Sequence, residues 1–215
     1  QEMELRSLAR RGKDQKWFMV KATLAKEKIE GSLQDVTEKV KANDRLHFLA
    51  EHDPLTGILN RRGIEKEFDE AVAMLGDGVS MSLAYLDLDR FKLINDLFGH
   101  LAGDEVLKQV CERVRNMLTE GQSMGRVGGD EFVIVFKGTP IDSAAWVCRG
   151  IVDRIGNLPY QIGDRAFQVK GSIGLMEISE SIRVKDAVSV ADRACREAKS
   201  GNHGNPVIYD RHSPV

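Results

Sequence analysis

The chain has 215 residues, 42% hydrophobic and 30% charged, with a formal net charge of −2. That allows one good-sized core, or a domain of about 160 residues with an appendage. The near-neutral balance argues against a dedicated nucleic-acid binder, which carries a basic surplus. No apolar run approaches the roughly 20 residues that span a bilayer, and no signal peptide is visible. This stretch is therefore expected to make no membrane contact. Cys111, Cys148 and Cys195 lack metal-ligand spacing and read as small reduced core residues of a cytoplasmic protein. The first residue is Gln1, so the chain reads as a piece of a longer protein, with any sensor or membrane segment expected outside it.

Residues 1–50 contain no proline, and Val20, Leu24, Ile29, Leu33, Val36 and Val40 recur mostly three or four positions apart. The pattern predicts a long N-terminal helix with a narrow apolar seam, a coiled-coil connector. The other reading is a helix packed on its own domain. Asp53-Pro54-Leu55-Thr56 interrupts the pattern, because proline disfavours helix at the residue before it. A helix is expected over Arg61–Leu75, then a buried strand from Val79 that closes in Asp87-Leu88-Asp89. Helical periodicity returns over Leu101–Leu118, Asp142–Ile155 and Val184–Lys199. Hairpins are expected around Gly128-Gly129 and Gly163-Asp164, with strands at 172–176 and 207–209. Helices and strands alternate, but hairpins interrupt the alternation. The expected class is α/β of the α+β type, a largely antiparallel central sheet flanked by helices. The boundaries expected are a connector over 1–50, a globular domain over 51–211 and the start of a linker at 212–215.

The centre of the sequence is Arg126-Val127-Gly128-Gly129-Asp130-Glu131-Phe132, which runs on into Val133-Ile134-Val135-Phe136. Two glycines before a β-branched run signal a tight turn, where glycine supplies positive φ without steric cost. Neighbouring strand residues face opposite ways, so Asp130 and Glu131 are suited to different tasks, one as metal ligand and one as general base. A solvated acidic tip on a surface hairpin remains the plainer reading of this heptapeptide. Asp87 ends a strand, and if that strand neighbours the hairpin, Asp87 and Asp130 converge. Hard oxygen ligands of this kind suit Mg²⁺. After Asp89 come Phe91, Lys92, Asn95 and Asp96, then Phe98-Gly99-His100 and Gly103-Asp104. A short turn here with exposed amides and a lysine makes a phosphate cradle.

Together these stretches resemble the GGDEF domains, the diguanylate cyclases that make cyclic di-GMP in bacteria. Leu86-Asp87-Leu88-Asp89-Arg90-Phe91-Lys92-Leu93-Ile94-Asn95-Asp96 with Ala102-Gly103-Asp104 is similar to the family's nucleotide-binding half. Asp53-Pro54-Leu55-Thr56-Gly57 through Arg62 resembles its entry motif, and Arg126–Phe132 carries the signature intact. Ala191-Asp192 and Ala198-Lys199 resemble the closing helix. The resemblance implies a nucleotidyl-cyclase or palm-like fold that binds GTP with Mg²⁺ or Mn²⁺, two metals per site. It implies Asp87, Asp130 and the Leu88 carbonyl as metal ligands, and Glu131 as the group that activates the ribose 3′-hydroxyl or binds the second metal. Lys92 and Lys199 neutralise the β- and γ-phosphates, with Phe91 beside them. Asn95 and Asp104 read guanine, since a carboxylate accepts from its N1–H and N2–H₂ while adenine lacks that donor pair. Asn60, Arg61, Asp89 and His100 are expected to be structural.

Two departures matter. The family's Arg-x-x-Asp product-inhibition motif falls on Thr119-Glu120-Gly121-Gln122, so feedback through that site is not expected. His203 falls where the family's arginine grips phosphate; a neutral imidazole is a weaker partner, so triphosphate affinity is expected to be lower or partly pH-dependent. The implied reaction needs a homodimer, with one GTP per protomer. Implied partners in the full-length protein are an upstream sensor and a downstream EAL domain. The alternative is a catalytically inactive GTP-binding module that regulates a linked domain.

Overall fold

The computed structural model describes residues 2–7, 16–25, 28–76, 80–178, 182–201 and 204–209. The chain divides into two compact units, Gln1–Ala50 and Glu51–Val215. Each is described by itself.

In the first unit, β1 (Glu2–Ser7), β2 (Lys16–Ala25) and β3 (Lys28–Asp35) form an antiparallel sheet in that order, followed by α1 (Thr37–Glu51). The long helix expected over residues 1–50 is thereby corrected: helix is confined to α1, and described residues before it are strands. The reason is arithmetical. A spacing of four places apolar residues on one face of a 3.6-residue helix and equally on one face of a two-residue strand. The register pairs Val20 with Leu33, Ala22 with Gly31 and Leu24 with Ile29. Gly31 allows the strands to close up, since a Cβ there would lie 2.7 Å from the Lys21 carbonyl oxygen. The Thr37 hydroxyl oxygen accepts from the Trp17 amide at 2.9 Å, and the Thr37 amide donates to Asp35 Oδ1 at 2.9 Å. The start of α1 is thus fastened to the strands before it.

The second unit is built on a six-stranded sheet. Its strands are β4 (Leu59–Asn60), β5 (Met81–Asp89), β6 (Gln122–Arg126), β7 (Glu131–Phe136), β10 (Lys170–Ile178) and β11 (Val207–Ile208). The order is β11-β10-β5-β7-β6-β4, antiparallel through the middle and parallel at both edges. β8 (Tyr160–Ile162) and β9 (Arg165–Phe167) form a separate hairpin turned by Gly163 at φ +58°. β5 is buried along nearly its whole length, as its mostly apolar sequence up to Leu86 requires of a strand covered on both faces. Residues of α4 (His100–Arg115) and α5 (Ile141–Asn157) pack on one face with Leu86, Phe132 and Ile134. Residues of α2 (Arg61–Ala73) and α6 (Val184–Gly201) pack on the other with Leu83, Tyr85 and Val133. All three cysteines are buried, and among the described residues no helix is long and apolar enough to cross a membrane.

One local expectation changes. The segment after Asp89, read as a turn, is a helix, α3 (Phe91–Phe98). It starts abruptly because Arg90 takes φ 57°, a left-handed conformation that no other non-glycine among the described residues adopts. Gly99 at φ +84° then separates α3 from α4.

Candidate active site

The site forms at the end of β5. In the β5–β7 ladder Asp87 stands opposite Glu131, and Tyr85 opposite Val133. With a two-residue period, Tyr85, Asp87, Glu131 and Val133 share one face, while Leu86, Leu88 and Phe132 point into the core on the other. The Leu88 amide donates to the Asp130 carbonyl at 3.2 Å, which carries the pairing one step past the last ladder residue and draws the hairpin tip onto β5.

The tip is secured by its backbone. The Glu131 carbonyl accepts from the amides of Val127 at 2.9 Å and Gly128 at 3.3 Å. Arg126 grips the Gly129 carbonyl through Nε at 3.0 Å and Nη2 at 2.7 Å, while its Nη1 reaches Asp53 Oδ1 at 3.2 Å. The Arg61 guanidinium donates to the Val127 carbonyl. Asn60 caps α2, its Oδ1 accepting from the Gly63 amide at 3.0 Å. Asn60 and Arg61 thus take the structural roles expected, as does Asp89, which accepts from the Ser172 hydroxyl at 2.9 Å.

The glycines serve a purpose other than the one expected. Neither Gly128 nor Gly129 has a positive φ. A Cβ on Gly128 would lie 2.0 Å from Glu131 Oε2, so this glycine makes room for the Glu131 carboxylate. Gly129 faces open space and contributes its carbonyl to Arg126.

Lys199 arrives from α6. That helix lies against β10 at Gly174, where a Cβ would stand 2.1 Å from the Ala191 carbonyl oxygen and 2.2 Å from the Cys195 nitrogen. The Cys195 thiol also donates to the Ser172 carbonyl at 3.1 Å. Held this way, Lys199 Nζ lies 2.5 Å from Asp87 Oδ1. Burial pushes the Asp87 carboxyl above the ordinary carboxylate range, with Asp130 and Glu131 adding to the shift and Lys199 opposing it. Burial likewise raises Asp130, with Glu131 adding to it. Burial also lifts the Tyr85 phenol, with the nearby Glu131 carboxylate adding to the shift. Asp130 and Glu131 lie close enough to act on Asp87, whose paired cation is Lys199, so the site favours added positive charge.

Asn95 reaches across the α3–α4 corner to the residue before Asp104. The Asn95 amide packs so closely on Gly103 that a Cβ there would lie 1.9 Å from Asn95 Oδ1, and Asp104 is the next residue. Lys92 is exposed on the first turn of α3. The Phe91 side chain belongs to the core. A cleft of about 580 Å³ lies beside this turn, lined by Asp89, Arg90, Leu93, Gln168, Lys170 and Lys199. His203 lies outside the described residues, as does the linker start at 212–215.

The donor set fits a hard divalent cation. Among the described residues no group of three His, Cys, Asp or Glu side chains gathers as a metal cage. Two carboxylates, Asp87 and Asp130, with a backbone carbonyl suit Mg²⁺, which completes its shell with phosphate oxygens and water. Sequence reasoning passed over Tyr85 and the Arg126–Asp53 link. The first was available as the residue two before Asp87, hence on its face. The second had no local signal.

The sequence model described as "Diguanylate cyclase, GGDEF domain" matches residues 50–205. The chain belongs to the GGDEF family. It is 30% identical over 185 residues to the diguanylate cyclase DgcP of Pseudomonas aeruginosa, covering 80% of this chain and 28% of that protein. It is 33% identical over 178 residues to the cyclic di-GMP phosphodiesterase PdeR of Escherichia coli, covering 81% of this chain and 26% of that one. The diguanylate cyclase SiaD of P. aeruginosa, solved in complex with its activator SiaC, matches with a TM-score of 0.72 at 31% identity. That match covers 80% of this chain and 66% of SiaD. This GGDEF chain thus spans 26–28% of the length of the two curated relatives named.

Proposed function

We propose that this GGDEF domain is a diguanylate cyclase that condenses two GTP molecules into cyclic di-GMP and pyrophosphate. The observation that carries the reading is the β5–β7 register, which sets Asp87 against Glu131 with Asp130 drawn to the same edge.

One GTP binds per domain. Asn95 and Asp104 accept the guanine donors, and the α3 amides, Lys92 and Lys199 take the phosphates. Asp87, Asp130 and the Leu88 carbonyl hold Mg²⁺ or Mn²⁺, up to two ions per site; the bound metal supplies charge neutralisation and lowers the cost of ionising the attacking hydroxyl. Two domains meet with their sites facing. The 3′-hydroxyl of one GTP, its proton passing to Glu131, attacks the α-phosphorus of the other, and the bond to the β-phosphate oxygen breaks to release pyrophosphate. A second, symmetric attack closes the ring. Catalysis of this kind depends on alignment and charge compensation, with no protein nucleophile. A single domain holds half of the reaction, so activity requires a dimer.

The product-inhibition position supports a lack of feedback. The Thr119 amide donates to Gln122 Oε1 at 3.0 Å and the Gln122 amide to the Thr119 carbonyl at 3.1 Å. The turn is closed by these two bonds and carries no guanidinium of its own.

Incubation with GTP and Mg²⁺ over a protein concentration series tests the reading. Cyclic di-GMP is expected, with a rate per protomer that rises with concentration. PdeR, named as a phosphodiesterase, favours a second reading in which the domain binds GTP and regulates a linked partner. GTP binding without cyclic or linear product at high protein concentration would establish it.

A further inference from the structure

Lys199 is connected to two places at once. Its ammonium lies 2.5 Å from Asp87 Oδ1, and the same side chain lines the cleft shared with Arg90 and Lys170. The backbone beneath it is fixed. Ala191, Cys195 and Ala198 are buried on the face of α6 that meets β10, where Gly174 admits the helix backbone. The four-carbon arm is the part that can move, and lysine carries its charge on a flexible stem. Asp87 is also the carboxylate that the proposed function assigns to the divalent cation. The side chains of Lys199 and Asp87 are only 34% and 21% exposed, so water screens charges here incompletely. An ammonium and a divalent cation on one such carboxylate repel each other strongly. A triphosphate lying along the cleft relieves that conflict, because its oxygens offer the ammonium a second anionic acceptor.

We propose that Lys199 is a displaceable occupant of the metal site. It competes with the divalent cation for Asp87, and the triphosphate draws it away. The inference rests on the reading of Asp87 and Asp130 as metal ligands. It makes metal and nucleotide binding mutually reinforcing through one side chain, and coupling between two sites is reciprocal. The cation alone then binds weakly, and the site becomes fully charged only when a nucleotide is present.

The test is a titration of the 215-residue chain with Mn²⁺ alone, followed by the free-ion EPR signal. Lys199→Met is expected to tighten nucleotide-free Mn²⁺ binding on the order of tenfold. Lys199→Arg, which keeps the charge, is expected to stay as weak as the parent. Adding Asp87→Asn to Lys199→Met is expected to remove the gain, and thermal melts confirm that each variant is folded. In the presence of Mn²⁺, Lys199→Met is expected to bind GTP more weakly than the parent. Nucleotide-free Mn²⁺ affinity that is unchanged or reduced in Lys199→Met overturns the proposal, as does a gain that survives Asp87→Asn. A parent protein that makes no cyclic dinucleotide yet shows this Mn²⁺ pattern leaves the inference standing and removes the cyclase reading. An active parent with equal Mn²⁺ affinity in both proteins does the reverse.

Discussion

Arg126 and Asp53 stand 73 positions apart, and their side chains meet at 3.2 Å, each less than a fifth exposed. Asp53 is fully engaged, accepting also from the Thr56 amide at 2.9 Å and the Thr56 hydroxyl at 2.7 Å. The other edge of Arg126 holds the Gly129 carbonyl. The segment that opens the domain and the turn that carries the signature are therefore one network.

That network makes an acid-sensitive contribution to stability. Burial pushes the Asp53 carboxyl up, but hydrogen bonds from Thr56 and the charge of Arg126 outweigh it and hold the group below its ordinary value of 3.8. A depressed folded pKa gives stability that is present above the unfolded value and lost as pH falls through the folded one. Asp53→Asn, which removes the charge and keeps the shape, is expected to cost about 1 kcal/mol at pH 7, the difference between a charged and a neutral acceptor. The gap between parent and variant should narrow below about pH 4. Urea unfolding at pH 7 and pH 3.5 checks both halves; a gap that is constant with pH would show that shape, and not charge, is what matters.

Glu131→Gln separates chemistry from binding. Glutamine fits the space Gly128 leaves but cannot take a proton from the 3′-hydroxyl. Turnover is expected to fall by about 10²–10⁴, the usual worth of a general base, with GTP affinity nearly unchanged. Product formation and calorimetry with GTP measure the two. An equal loss in both would make Glu131 a metal or folding residue.

Asp104→Asn tests guanine recognition. It places amide donors against guanine donors and removes the charged acceptor, a loss of roughly 1.5–3 kcal/mol or about 10–100-fold in GTP affinity. Competition between GTP and ATP for the site is the measurement. The preference for GTP should shrink together with the affinity, and an unchanged preference would place base recognition elsewhere.

Gly174→Val probes the seat of α6. The new side chain would meet helix backbone, which cannot turn aside as a side-chain tip can. Destabilisation of about 1–3 kcal/mol is expected, the range for overpacked cores, readable as a lower urea midpoint. GTP binding should weaken in the folded fraction, because Lys199 rides on the displaced helix.

Added cyclic di-GMP is expected to leave the initial rate of GTP turnover unchanged. The Thr119–Gln122 turn is closed by two bonds of its own and has no arginine to stack on or pair with the product. Saturable inhibition, abolished by substitutions within these four residues, would refute this.

Much of the second unit was legible because its signals are local. The β-branched run after Gly129, the apolar strand into Asp87 and the periodicity of α2, α4, α5 and α6 each speak within a dozen residues. The first unit departs from its expected helix because Val20 and Leu24, and again Ile29 and Leu33, are four apart, a spacing that fits helix and strand alike; the five-residue step between the pairs, which breaks a helical seam, falls between β2 and β3. The helix α3 escaped notice because its start depends on one left-handed residue, Arg90, which sequence does not mark. The Arg126–Asp53 contact and the seat of α6 on Gly174 join distant stretches, and no single window contains them.

The β5–β7 register has a consequence for how such chains can diverge. The four residues Val127–Asp130 link β6 to β7, and the ladder beyond them fixes which side of the sheet each residue occupies. A slip of one residue in that pairing would turn Glu131 toward the core side and bring an apolar neighbour to the reacting edge. The apolar residues of β7 therefore hold the chemistry as well as the core, since they set the parity that keeps Glu131 beside Asp87. A substitution deep in the strand that shifted this register would silence the site with the five-letter signature intact.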